Sequence, residues 1–251
     1  MSQCAGMSLG CQSSGPRIGP MSAGVSVEEA ARNNAEWCAS FCKTRGINGR
    51  FDSDAWTSAT RTPPLYPDAV TLVAGASVEA VLLRVDTSVG CSIKDSFADL
   101  DLAPLGFDRL FAAEWLYQEP RSEAAPHNWS MITRQDELER WESAWGISTG
   151  PRPFFRRELL ADQHVAVLAR YEGNAVVSGA TANRSRTVIG LGNVFDLRRD
   201  LESAWRDAAS AARALWGAMP AVSYDFGEPL AAAKRAGFAP SGRLVVWVKR
   251  E

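Results

Sequence analysis

The sequence predicts a mixed α/β fold in which helices flank a mostly antiparallel sheet. Three observations carry that expectation. Strand-like segments recur along the chain, most clearly "HVAVLARY", "AVVSGATA" and "RTVIGLGNVF". Leu201, Ala204, Trp205, Ala208, Ala212, Leu215 and Trp216 fall on one helical face. Meandering strands give way to β-α-β connections toward the C-terminus, an order that calls for helices packed on a mixed sheet.

The elements follow in order. Ser26 and Glu29 form a capping box for a helix running to Arg45. Its stripe is Ala31, Ala35, Cys38, Phe41 and Cys42, and Gly46 stops it. The stretch "FDSDAWTSATRTPPLYPD" is too rich in Pro, Ser and Asp to be regular. It either contacts a ligand or pins Trp56, Leu65 and Tyr66 onto the core. "AVTLVAG" reads as a strand, and Ser77 caps a helix carrying Val78, Val81, Leu82 and Val85. "CSIKDSFA" and "DRLFAAEWLYQ" read as two more strands. The second half opens with the strand "WSMI". A helix capped by Thr133 and Asp136 follows, with Leu138, Trp141 and Trp145 on it, then a helical "PFFRRELLAD". After the three strands and the long helix come the strand "AVSYDF", the helix "EPLAAAKRA" ended by Gly237, and the strand "GRLVVWVKR".

Four segments are expected. Residues 1–24 form a disordered tail rich in Ser and Gly, or lie upstream of a start at Met21. Residues 25–118 form a first α/β half, 119–128 a linker, and 129–251 a second half. The 251 residues are 46% hydrophobic and 22% charged, with a net charge of -2. That balance gives no sign of nucleic-acid or anionic-membrane partners. No apolar run is long enough to span a bilayer and no secretory signal is visible, so a cytoplasmic location is expected. Five cysteines argue against a disulfide framework. Cys38 and Cys42 share a helix face but lack further ligands, so no metal is expected. There is no Walker loop or nucleophile elbow. With only His127 and His164 available, nothing in the spacing favours a Ser-His-Asp site. Among the nine tryptophans, Trp37, Trp56 and Trp115 are either core or pocket lining.

The element order, together with "PLAAAKRAGFAPSGRLVVWV", resembles the GNAT superfamily of N-acyltransferases over roughly Trp129 to Lys249. The resemblance implies an acyl-CoA, acetyl-CoA for instance, lying in a splay between "RTVIGLGNVF" and "AVSYDF". The backbone of Asn193, Val194 and Phe195 would then hold the pantetheine and polarise the thioester carbonyl. Arg198 and Arg199 at the next helix start would meet the phosphates. The acceptor would be a small-molecule or protein amine attacking the thioester directly.

Two departures from the family pattern stand out. "FDLRRDLESA" lacks the glycines of the family's phosphate loop, and Asp196 reads as the helix's own N-cap, competing for the same amides. The family's tyrosine position holds Ala233. Tyr224 would have to substitute as acid, with Asp225 and Glu228 as candidate bases or as caps. A GNAT-like module that binds without catalysing is therefore the alternative reading. The first half carries an echo: Gly106-Phe107 precedes Trp115 much as Gly237-Phe238 precedes Trp247, suggesting a truncated GNAT-like unit.

Overall fold

The computed structural model describes residues 24–121, 126, 128–146 and 153–250. Residues 1–23 of the expected tail, half of the central linker with His127 in it, and Pro151 lie outside the described residues.

In the first half, helix α1 (Val27–Lys43) is followed by strands β1 (Arg50–Phe51), β2 (Ala55–Thr57) and β3 (Ala69–Thr71). Helix α2 (Val78–Leu82), strand β4 (Ser92–Asp95), a 3-10 turn and strand β5 (Phe107–Gln118) complete it. The second half holds β6 (Trp129–Met131), α3 (Gln135–Trp145), β7 (Val165–Glu172), β8 (Ala175–Arg184) and β9 (Ile189–Asp196). After these come α4 (Leu201–Trp216), β10 (Ala221–Asp225), α5 (Gly227–Arg235) and β11 (Ala239–Lys249). All eleven strands form one sheet, in the order β1-β2-β3-β4-β11-β5-β10-β9-β8-β7-β6. Among the described residues only the pairings β3–β4 and β9–β10 are parallel, so the sheet is mostly antiparallel, as the sequence predicts.

The strand order interleaves the two halves. β5 pairs with β10 from Ala221↔Gln118 to Asp225↔Glu114, and with β11 from Ala239↔Tyr117 to Phe107↔Lys249. The two echoing segments thus lie side by side, running in opposite directions. Gly106 (φ 78) and Gly237 (φ 91) each take the left-handed conformation after a helical turn. Each is followed by a buried Phe, and Trp115 and Trp247 are buried further along. Gln118 of β5 also accepts from Arg213 Nη1 of α4 at 2.7 Å and donates to the Ala236 carbonyl at 2.9 Å.

Side-chain alternation along the strands sorts two layers. Val222 packs with Ala30, Ala31, Trp115 and Leu244 on the α1 side. Its neighbour Ala221 packs with Leu191, Trp205, Ala233 and Phe238 on the side of α4 and α5. A third cluster joins α1, α3 and β7 through Phe41, Leu138, Trp141, Phe155 and Val167. Buried Asn33 clamps α1 to the sheet: its Nδ2 donates to the Asn183 carbonyl at 3.3 Å, while Asn183 Nδ2 returns a bond to the Asn33 carbonyl at 3.0 Å. Gly190 makes room for this clamp, since a Cβ there would come within 1.9 Å of Asn33 Oδ1.

Several local expectations need correction. The stretch after Gly49 is not wholly irregular, because β1 and β2 are strands too short to show a period. Trp56 and Tyr66 are buried as expected, but Leu65 is 59% exposed in a left-handed turn (φ 73). The helical part of "PFFRRELLAD" is the 3-10 segment Arg157–Ala161. The start of α3 is held by Glu137, whose carboxylate accepts from the Thr133 and Arg134 amides, not by the Thr133 side chain.

Candidate functional site

β9 is eight residues long, yet it pairs with β10 only at Ile189 and Gly190. Beyond that point the two strands separate. Opposite β10, β9 carries a bulge: Thr181 faces Gly192 and Gly179 faces Phe195, so Asn193 and Val194 together oppose Ala180. Asn193 takes φ 51, and its Nδ2 donates to Thr181 Oγ1 at 3.0 Å, an anchor that fixes the bulge. At the fork, Ser223 Oγ donates to the Leu191 carbonyl at 2.8 Å.

A cavity of about 870 Å³ opens through this fork and along the α1 side of the sheet. α1 contributes Asn33, Asn34 and Trp37, the loop from Arg61 to Asp68 forms one wall, and the sheet supplies Lys94, Trp115, Asn193 and Val194. Tyr224 and Asp225, adjacent on β10, both line it. Alternation turns them to opposite faces, and the gap between the strands puts both in one space. Trp205 reaches the cavity from α4; its indole Nε1 is buried without a hydrogen-bond partner.

Asp225 is the titratable group of greatest chemical interest. Burial pushes its carboxyl up to about 6, opposed only in part by the Phe226 amide, which donates to it at 2.9 Å. A carboxyl that titrates there can hold or release a proton near neutral pH. The Tyr224 ring meets Trp115 edge-on at 5.4 Å, and Lys94 Nζ lies 3.9 Å from its centroid. Cys38 also lines the cavity, but burial raises its thiol to about 11, so it is no nucleophile at neutral pH.

The other expected residues are placed less centrally. Phe195 does not line the cavity: its ring packs against Trp141 at 5.2 Å, and its carbonyl accepts from Ser178 Oγ at 2.7 Å. Glu228 is exposed and pairs with Arg235 at 2.7 Å. Arg198 pairs with Glu172, and Arg199 is exposed with φ 64. The start of α4 also differs from expectation. Its N-cap is Asp200, which accepts from the Ser203 amide at 3.1 Å. Asp196 caps the turn before it, accepting from the amides of Arg198 (2.8 Å) and Asp200 (3.2 Å). The Asp196 carboxylate is buried and meets Arg170 Nη2 at 2.6 Å. Asp196 therefore does occupy loop amides, from a position four residues earlier than the cap. Sequence reasoning missed Lys94 and Trp205. Lysine in an interior strand was a usable signal; Trp205 is indistinguishable from core by spacing alone.

Solved structures of GNAT acetyltransferases share this architecture. A GCN5-related N-acetyltransferase from Kribbella flavida superposes with a TM-score of 0.60 at 16% identity, over 92% of this chain and 97% of that one. A putative acetyltransferase of the GNAT family from Novosphingobium aromaticivorans gives 0.54 at 12%, over 88% and 99%. The chain thus has the GNAT fold. No protein-family model matches the sequence, and no curated protein matches it. Among the described residues no helix is long and apolar enough to cross a membrane, and no group of three or more His, Cys, Asp or Glu could hold a metal.

Proposed function

We propose that the protein is an acyl-CoA-dependent N-acyltransferase of the cytoplasm that acylates a small-molecule or protein amine, with acetyl-CoA as the simplest donor. The observation that carries this reading is the fork between β9 and β10, which leaves facing strand edges unpaired beside a cavity. Unpaired backbone groups in a buried setting are unfavourable until a ligand meets them. The pantetheine arm carries amides and suits such an edge, with Asn193 and Val194 beside it and the free indole N–H of Trp205 as a further donor. Asp225 takes the proton from the acceptor amine. The amine nitrogen attacks the thioester carbon, the C–S bond breaks, and the departing sulfur leaves as the thiol after receiving a proton, for which Tyr224 is the nearest phenol on the same strand.

A second reading is a GNAT-like binding module without catalysis. It is favoured by Asp196, which already fills the amides a diphosphate would use. Calorimetry with acetyl-CoA, followed by thiol release over a panel of amines, separates the two. Binding and turnover support the transferase. Absence of acetyl-CoA binding at millimolar ligand overturns it in favour of the module.

A further inference from the structure

Lys94 is the unexplained group of the cavity. It sits on β4 with only 3% of its surface exposed. Its Nζ donates to Asn34 Oδ1 at 2.7 Å and lies over the Tyr224 ring. The cavity lining contains one other cationic side chain, Arg61, and Asp68 holds that one at 2.6 Å. Among the described residues no carboxylate comes within ion-pair distance of Lys94. A cation this deep without an anion is strongly unfavourable, because neither an amide oxygen nor a ring face replaces its hydration. Accepting from Lys94 with Oδ1 leaves Asn34 its Nδ2 as a second donor at the same spot.

We infer that the occupant of the α1-side chamber carries a carboxylate, which binds Lys94 Nζ with Asn34 Nδ2 beside it. The acceptor is then an amine with an acid group in the same small molecule, the chemistry of an amino acid. The amine half of this statement rests on the transferase reading; the acid half rests on Lys94 alone. Tyr224, under the lysine, and Asp225, next to it in the chain, line the same cavity as Lys94.

The test uses the full chain and a set of proteinogenic L-amino acids, each paired with its carboxamide, at millimolar concentration. Thermal shift reads binding without a donor, and thiol release from acetyl-CoA reads turnover. At least one amino acid should raise the melting temperature while its carboxamide does not. Lys94→Met keeps the stem and removes the charge, and should weaken acid binding by about tenfold or more while abolishing the preference over the amide. Asn34→Asp is the second variant: it supplies the missing anion from the protein, so it should raise the melting temperature of the free protein and suppress acid binding. Acids that bind without any thiol release would uphold Lys94 as an anion site and overturn the amine half of the statement. The inference is overturned if no amino acid binds, if acids and amides bind alike, or if the folded Lys94→Met protein keeps the preference.

Discussion

The Asp196 carboxylate governs what the start of α4 can hold, and Asp196→Ala tests that directly. The side chain is 1% exposed and accepts three hydrogen bonds, from Arg170 Nη2 at 2.6 Å and from the Arg198 and Asp200 amides at 2.8 and 3.2 Å. Removing it leaves a guanidinium whose Nε already lacks a partner. Breaking a buried ion pair costs about 3–5 kcal/mol, and the lower end applies because Arg170 keeps some contact with water. At roughly 2–4 °C per kcal/mol for a chain of this size, the melting temperature should fall by about 6–12 °C. The same change frees two amides and one arginine for an anion. Each charge-assisted bond to phosphate contributes about 1.5–3 kcal/mol, so one new bond tightens diphosphate binding about tenfold. Calorimetry with acetyl-CoA, and with ADP as a probe of the diphosphate alone, reads this gain. Asp196→Asn keeps an acceptor for the amides and should show little of it. Asp200→Gly should gain less than Asp196→Ala, since it frees one backbone amide, that of Ser203, and releases no arginine from an ion pair. A folded Asp196→Ala protein that binds ADP no tighter than the wild type would refute the reasoning.

Four further outcomes follow from the same geometry. Acyl transfer should rise with pH through about 6 as Asp225 loses its proton, and Asp225→Asn should flatten that limb of the rate profile. The raised carboxyl holds its proton longer in the folded than in the unfolded chain, so it favours folding at low pH and penalises it increasingly as pH rises from 3.8 through about 6. Asp225→Asn should accordingly be more stable than wild type above that range, by about 3 kcal/mol in denaturant titrations; a stability gain over wild type that is the same at pH 5 and pH 8 would contradict the assignment. Gly190→Ala drives a methyl into the Asn33–Asn183 clamp and should destabilise by about 1–3 kcal/mol, read as a lower thermal midpoint with α1 amides exchanging faster. A fragment of residues 129–251 lacks β5, which separates its β10 from its β11, and should aggregate; a soluble fragment with a cooperative melt would count against this.

The parts of the fold that the sequence makes legible are those with a long local period. α1 with its capping box, the β7–β8–β9 meander and α4 with its apolar face all repeat often enough to be read. β1 and β2, with two and three residues, contain too few alternations to register. The start of α4 is legible in the sequence as chemistry but not as geometry. Asp196 and Asp200 stand four residues apart with similar neighbours, and only the path of the chain decides which one caps α4. Tyr224 and Asp225 could be placed near the fork because they follow directly on β10. Lys94 could not, since it joins them from 130 residues away through the pairing of β4 with β11. Phe195 follows the bulge at Asn193 and Val194, and its ring packs on Trp141.

The fork owes its position to the strand exchange at the centre of the sheet. β10 is only five residues long, and all five pair with β5. One edge of β10 is thereby satisfied along its whole length, and β5 is in turn fixed by ten pairings to β11. The strand thus stays straight without help from β9. β9 is held independently on its other edge by β8, and the bulge increases its local twist just where contact with β10 ends. Two strands each anchored on their far side can part without either losing its place, and the separation leaves their facing edges beside the cavity. The arrangement makes a further prediction. Deleting Asn193 would remove the extra residue of the bulge and let β9 run on beside β10. The added pairings should raise the melting temperature if the register tolerates them, while acetyl-CoA binding and turnover should both be lost. A deletion variant that folds and still binds acetyl-CoA would show that the fork is not where the donor lies.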